Sequence, residues 1–465
     1  MEAFLQPLQG LAEFEEIKKR CGANCGILNV SGCMESQKVH LMYGLSGLFP
    51  YHLILADDER NAKEIYEDYR FYDKNVYFYP AKDLLFFQAD IHGNLLIRQR
   101  MRVIRALLEQ EEVTVVTSID GCMDFLMPLE KIRSRLLHFK SDSVIDLDQL
   151  KEELVELGYE RTGQVELPGQ FSVRGGIIDI YPLTEDNPWR IELWDDEVDS
   201  IRSFDAESQR SLENVDEITI YPAAEKMDGE DMVSFLDYFP EEKTLVFLDE
   251  LNHLAENGEG VEEEYRQSRM HREEKGEANL PEQWLCGFQE LQKKMNRRNC
   301  VAVSALSPRR SGWKINGEFD LTVKSVDSYN SSFELLVKDL LQYKSQGYRI
   351  ALLSGSRTRA ERLAKDLSEE GLNAFYSQDM DRIISPGEIM VVYGHARRGF
   401  QYPLIKFAVM TETDIFGKEQ KKRKKKKKYS GNRIQDFAEL SIGDLVVHEK
   451  HGLGIYRGIE KVEVD

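Results

Sequence analysis

Two groups of residues in this chain could carry chemistry. The first is Val30-Ser31-Gly32-Cys33-Met34-Glu35-Ser36-Gln37-Lys38, which follows an apolar strand-like run and stands where an α/β protein would place a phosphate loop. Such a loop needs G-x-x-x-x-G-K-[ST]: glycine amides cradle the phosphates, lysine neutralises them and the hydroxyl holds magnesium. Here Gln37 replaces the second glycine, Val39 replaces the hydroxyl, and Glu35 adds a negative charge where phosphates would sit. The loop therefore reads as vestigial, and no nucleotide cofactor is expected. Thr244 to Leu248 followed by Asp249-Glu250 resembles the strand that holds magnesium in such sites. Without a working phosphate loop it reads as a strand end with solvated carboxylates.

The second group is Arg161, Arg174, Arg190 and Glu192. On one sheet face these guanidinium groups would form forks suited to carboxylates of a partner; the competing reading is ordinary solvated ion pairs. No metal ligation is expected. The six cysteines (21, 25, 33, 122, 286 and 300) have no zinc-site spacing and read as reduced thiols, and His448 with His451 lacks a third ligand. Ser354-Gly355-Ser356, between a strand and a helix, could hold an anion but is a generic α/β turn.

Strands and helices must position these residues. Phe171 to Tyr181 reads as a strand interrupted by Gly175-Gly176, where a bulge or a close backbone approach is expected, and Pro182 closes it. Arg190 to Trp194 and Val198 to Phe204 alternate polar and apolar residues around Asp195-Asp196-Glu197, which predicts a hairpin. Upstream, strands at 51–56, 76–79 and 113–118 alternate with helices at 59–69 and 98–108, the pattern of a parallel sheet. Residues 1–20 read as one amphipathic helix and 252–279 as an exposed helix and loop. Phe333, Leu336, Val337 and Leu340 give a helix with one apolar face. It opens a second doubly wound unit, with strands at 349–353, 389–393 and 407–411.

A chain of 465 residues suggests three to four domains, and no apolar run is long enough to span a bilayer. No secretory signal is present, so a cytoplasmic location is expected. The formal charge of −21 argues against coating nucleic acid. Charge is uneven, however: Lys418 to Lys428, KEQKKRKKKKK, is strongly basic and reads as an extended linker.

The wording R-G-G-I-I-D-I-Y-P and R-I-E-L-W-D-D-E-V-D-S-I-R, at 174–182 and 190–202, resembles the module shared by UvrB of the excision-repair system and the bacterial transcription-repair coupling factors. The resemblance implies that this part docks on UvrA, with Arg161, Arg174, Arg190 and Glu192 at the contact and Tyr181 beside them. UvrB reads damage with an aromatic-rich hairpin. The corresponding segment here, 79–93, is short, which favours the coupling factors, and Phe86 and Phe87 read as core residues. Ile442 to Tyr456, with G-D-x-V-V-H-x-x-H-G-x-G-x-Y, resembles the RNA polymerase-interacting domain of the coupling factors and of CarD-like proteins.

The implied architecture is multidomain α/β. A degenerate helicase-like parallel-sheet lobe (1–135 and 224–330) carries an inserted small α+β UvrA-binding domain (136–223). A flavodoxin-like α/β domain (331–417), a basic linker (418–438) and the start of a small β-barrel (439–465) follow. The expected function is non-catalytic: the N-terminal interaction region of a coupling factor, recruiting UvrA to stalled RNA polymerase for excision repair. Polymerase, through its β subunit, would bind the completed barrel. ATP, magnesium and most DNA contact would belong to C-terminal motor domains beyond this chain. The alternatives are an ATP-dependent DNA helicase of the UvrB type and a CarD-like polymerase-binding regulator.

Overall fold

The computed structural model describes residues 1–22, 25–82, 93–224, 232–275, 285–308, 312–417, 445–448 and 452–455. Phe86, Phe87, the Lys418 to Lys428 run and His451 lie outside them, and of His448 only the backbone is described.

The first twenty residues form two helices, α1 (Glu2–Leu8) and α2 (Ala12–Cys21), and not the single helix expected. The chain turns at Gln9-Gly10-Leu11 so that Phe4, Leu8, Phe14 and Ile17 all reach one core. The chain then builds β1 (Ile27–Ser31), α3 (Glu35–Ser46), β2 (Tyr51–Ala56), α4 (Glu59–Tyr72), β3 (Val76–Tyr79), α5 (Gly93–Glu109) and β4 (Val113–Ser118). Asp58 starts α4 by accepting from the Asn61 amide at 2.6 Å, which satisfies an otherwise orphaned helix donor.

The chain next leaves this sheet. Helix α6 (Leu147–Glu156), capped by Asp146, is followed by β5 (Glu160–Arg161), β6 (Gln170–Arg174), β7 (Ile177–Ile180), β8 (Trp189–Trp194), β9 (Glu197–Phe204) and β10 (Ser211–Val215). These strands lie in the order β10-β9-β8-β7-β6-β5, antiparallel except for the β5–β6 pair. Gly175-Gly176 does not interrupt one strand, as expected; it forms the two-residue turn of a hairpin in which Arg174 pairs with Ile177. Gly175 has φ 61°, a conformation that glycine adopts without steric cost. Leu150 and Leu154 of α6 close the apolar face over Phe171, Ile178, Ile180, Ile191 and Ile201.

The chain returns with β11 (Thr244–Asp249), the long helix α7 (Leu251–Lys275), β12 (Asn299–Val303) and β13 (Ile315–Asp320). The first sheet is then complete, seven strands in the order β13-β1-β12-β11-β2-β4-β3, every neighbouring pair parallel. The segment after β1 passes tightly beneath residue 321. A Cβ on Gly32 would lie 2.2 Å from the Leu321 carbonyl oxygen, so only glycine fits there.

The third sheet takes β14 (Lys324–Ser325), α8 (Phe333–Ser345), β15 (Arg349–Ser354), α9 (Arg357–Glu369), β16 (Asn373–Tyr376), β17 (Glu388–Tyr393), β18 (Phe400–Tyr402) and β19 (Phe407–Thr411). Its order is β14-β18-β19-β15-β17-β16, with β15, β16, β17 and β19 parallel. Leu336, Val337 and Leu340 of α8 are buried, as their spacing predicts. Beyond it, Leu445–His448 and Gly452–Ile455 form an antiparallel pair.

One core runs through the first and third sheets. Ala351, Leu353, Met390, Val392, Phe400, Tyr402, Phe407 and Val409 pack with α1, α2, α3 and α4. Helix α3 is therefore enclosed on two sides, which makes its polar residues obligatory hydrogen-bonders. His40, fully buried, donates from Nε2 to the Phe4 carbonyl at 2.9 Å and accepts from the Tyr402 hydroxyl at Nδ1, 3.1 Å away. Burial pushes its pKa from 6.5 down to about 4.

The unfolded chain therefore takes up this proton before the folded one does. The contribution is fully present above about pH 6.5 and is lost as pH falls toward about pH 4. Between about pH 7 and pH 5 His40 should cost about 2 kcal/mol of unfolding free energy. Denaturant titrations of wild type and His40→Gln at both pH values check this. Equal pH dependence of the two proteins would refute it.

Candidate protein-docking surface

The face of the inserted sheet opposite α6 is polar because its strands alternate. Ser172, Asp179, Arg190, Arg202 and Asn214 stand opposite one another in five consecutive strands. Arg174 and Glu192 lie two residues along from this row and so share its face. At its centre the Asp179 carboxylate is only 1% exposed. Arg190 donates to it through Nε at 2.6 Å and Nη2 at 2.8 Å, and Arg174 through Nη2 at 2.7 Å. The hydrogen bonds that Arg190 donates to Asp179 hold its pKa above its ordinary value. The Arg190 guanidinium also lies 4.4 Å from the Phe204 ring centroid and reaches Gln209 Oε1 at 3.2 Å.

Glu192 is engaged by a different arginine. Arg202 grips both its oxygens, Nη1 to Oε2 at 2.8 Å and Nη2 to Oε1, and Ser200 adds a hydroxyl at 3.3 Å. The Arg202 hydrogen bonds hold the Glu192 carboxyl below its usual range. The face is thus a pre-assembled lattice in which arginines already have carboxylates. Arg174 is the most open of the three, its side chain 47% exposed against 14% for Arg190 and 21% for Arg202.

Two of the expected residues do not share this arrangement. Arg161 pairs in register with Phe171, whose ring is in the core beneath α6. It opens beside Lys151 and Val155 of α6, on the other side of the sheet from Arg174 and Arg190. Tyr181 does stand near the polar face but is buried at 9% exposure, packed with Val165 and Phe204. Its hydroxyl donates to the Asp186 carbonyl at 2.7 Å, and burial raises its pKa. Tyr181 therefore supports the face from below.

Loop residues Glu185 and Asp186 are in turn gripped by α5. Arg98 and Arg102 reach Asp186 Oδ1 at 2.6 and 2.8 Å, and Arg105 pairs with Glu185. These arginines, spaced four and three residues apart, line one side of α5. They hold the inserted unit to the first sheet.

Asp179, Arg202, Phe204 and Gln209 were not singled out in the sequence. A lone carboxylate in Ile178-Asp179-Ile180, in an apolar strand directly opposite Arg190, was the available signal.

At the segment expected to be a vestigial phosphate loop, the structure differs from expectation in the facing carboxylates. Asp249 is 2% exposed, not solvated. Lys38 Nζ lies 2.7 Å from both Asp249 Oδ1 and Glu250 Oε1, Asn61 donates to Asp249 Oδ2 at 2.7 Å, and the Ala305 amide donates to Glu250 at 2.8 Å. Burial works against the ammonium, but the two carboxylates outweigh it and leave the Lys38 pKa above its usual value. At the Ser354-Gly355-Ser356 turn, the Gly355 amide donates to Glu412 at 2.8 Å, so the chain's own carboxylate occupies it. All six cysteines are free thiols, as their spacing predicts. Among the described residues no helix is long and apolar enough to cross a membrane.

Comparison with known proteins bears on both ends of this architecture. The UvrB interaction domain family matches residues 137–225, the segment that builds the inserted sheet, and the CarD-like/TRCF RID domain family matches 440–465. The transcription-repair-coupling factor of Bacillus subtilis (strain 168) is 28% identical over 94% of this chain and 43% of its own length. That of Staphylococcus aureus (strain MRSA252) is 26% identical over 84% of the chain and 38% of its own length. That of Staphylococcus epidermidis (strain ATCC 12228) is 27% identical over 89% of the chain and 40% of its own length. The chain thus spans less than half the length of these relatives. These similarities identify the chain as a homologue of the transcription-repair-coupling factors, and the two domain matches fit their N-terminal region.

Proposed function

We propose that this chain is the recruiting region of a cytoplasmic transcription-repair coupling factor. It binds UvrA through the polar face of the inserted sheet and brings it to stalled RNA polymerase. The observation that carries this reading is the lattice in which Arg174 and Arg190 share Asp179 and Arg202 holds Glu192, within the segment that matches the UvrB interaction domain. Guanidinium groups held in fixed positions lose little side-chain freedom on meeting a partner's carboxylates. Arg174 is the direct contact, Arg190 and Glu192 keep the lattice in register, and Tyr181 positions it. Arg161, on the opposite side of the sheet, belongs to the contact only if the partner wraps around the β5 edge.

The segment matching the RID domain supports RNA polymerase, through its β subunit, as the second partner. In this reading the domains are those set out from the sequence: a degenerate helicase-like lobe with an insertion, then a flavodoxin-like unit, a linker and the RID segment. ATP, magnesium and most DNA contact belong to motor domains outside this chain.

The rival reading, an ATP-dependent helicase of the UvrB type, needs Lys38 free for phosphate. Its ammonium is instead neutralised by Asp249 and Glu250 at 2.7 Å. Release would leave two carboxylates facing the triphosphate, a repulsive arrangement without magnesium.

Two outcomes are expected. Arg174→Glu should weaken calorimetrically measured UvrA binding by about 2 kcal/mol or more, with circular dichroism unchanged. Wild-type affinity in that variant would remove Arg174 from the contact. Lys38→Met should destabilise the first sheet by about 3 kcal/mol, because Asp249 then stays buried without its cation. Millimolar ATP with magnesium should leave the wild-type melting temperature unmoved, and an upward shift that disappears in Lys38→Met would restore the helicase reading.

A further inference from the structure

The end of the β8–β9 hairpin departs from the rest of its sheet in two ways. Trp194 leaves 80% of its surface in solvent, although a tryptophan ordinarily supplies buried contact area. Glu197 pairs with Trp194 on one side and with Val144 on the other, so the three form one row across three chain segments. Val144 is 71% exposed. The row stands on ordered backbone: Ile145 N–H donates to Asp196 O at 2.8 Å, Val198 N–H to Ser143 O at 2.8 Å and Asp142 N–H to Val198 O at 3.0 Å. Leu193 and Val198, the next pair in the alternation, pack toward α6, and Trp194 falls on the opposite side, turned to solvent.

The second departure is electrostatic. Asp142, Asp195, Asp196 and Glu197 are exposed, and none forms an ion pair with a described residue. On the adjoining polar face, by contrast, Asp179 and Glu192 are each neutralised by arginine. An open indole face bordered by unpaired carboxylates suits a guanidinium, which stacks on the ring while its N–H groups reach the acids.

We propose that this hairpin end, Trp194 and Val144 bordered by Asp142, Asp195, Asp196 and Glu197, is a docking surface for an arginine-bearing, partly apolar segment of a partner protein. Apolar area at Trp194 and Val144 supplies the anchor, and the carboxylates select the charge. Nucleic acid does not fit, since four carboxylates repel its phosphates. The surface does not rest on the UvrA assignment, which is carried by Arg174, Arg190 and Glu192 on a neighbouring patch whose acids are already paired with arginine.

The test uses the full 465-residue chain and an amidated peptide of alternating leucine and arginine, followed through the indole N–H signal of Trp194, which Trp194→Phe assigns by its loss. Saturable binding that moves this signal is expected. Calorimetric affinity should fall about tenfold in Trp194→Ala and in the triple variant Asp195→Asn, Asp196→Asn, Glu197→Gln, and by less in Trp194→Phe, which keeps a ring. Neutralising Glu256, Glu259 and Glu264 on α7, an equal charge change elsewhere, should leave affinity within about twofold. Equal weakening by the α7 variant, an unmoved Trp194 signal, or equal binding of a leucine–glutamate peptide would overturn the proposal. So would a Trp194 signal that shifts, without peptide, when Lys424 to Lys428 are replaced by glutamine, since the occupant would then be the chain's own basic run.

Discussion

The ammonium of Lys38, held between Asp249 and Glu250, is the interaction on which the first half of this molecule depends. A buried charge is tolerated only when paired and hydrogen-bonded, and here the partners come from residues more than two hundred positions apart. The pair ties the start of α3 to the end of β11, and Asn61 adds α4 through the same Asp249 carboxylate. β11 is reached only after the chain has built the inserted sheet. The cluster therefore closes the parallel sheet across the insertion and holds the strands from which that unit projects. Where a nucleotide enzyme would keep these three side chains for phosphate and magnesium, this chain uses them on one another.

The same electrostatic rule shapes the inserted sheet on a smaller scale. Asp179 lies in an apolar strand and is nearly inaccessible, so the strand on either side must bring a cation to it. Arg174 and Arg190 do so only in the observed register, because a one-residue slip would turn both to the α6 side. Satisfying the buried charge thus also fixes which residues reach the outer face. Glu192 and Arg202 repeat the arrangement one position along. A partner docking here as proposed would meet a lattice that is already neutralised, and its affinity would depend on how well added carboxylates share the arginines.

Much of this could be read from the residues alone, and the parts that could not have a common cause. The apolar runs at 51–56, 113–118 and 244–249 became parallel strands, and the four apolar positions of α8 face its core, because burial of a periodic pattern is a local signal. The departure from the phosphate-loop pattern is legible too, at Gln37, Val39 and Glu35. What escaped was pairing between distant segments. Asp249 looked like a solvated strand end because Lys38 lies far from it in sequence. Arg161 looked like a member of the arginine face because side-chain direction depends on the parallel β5–β6 register, which a two-residue strand does not announce. The two glycines at 175 and 176 suggest a bulge or a close backbone approach within one strand; the close approach is there, Gly176 against the Leu193 carbonyl, but two residues between alternating runs fit a hairpin turn equally well.

The distinction between paired and unpaired charge separates structural from available groups on this surface. Asp179, Glu192 and Asp249 look like functional acids by residue type, yet each is committed to an internal cation and contributes to register or closure. Arg174 is committed only in part, since its side chain stays half in solvent while it shares Asp179 with Arg190. Arg190 alone makes two hydrogen bonds to that carboxylate, so Arg174 can turn toward a partner without leaving Asp179 uncompensated. Releasing that one guanidinium would thus cost little electrostatically and leave the rest of the lattice intact. That asymmetry, invisible in a count of arginines, is what the proposed docking on a largely self-satisfied face would draw on.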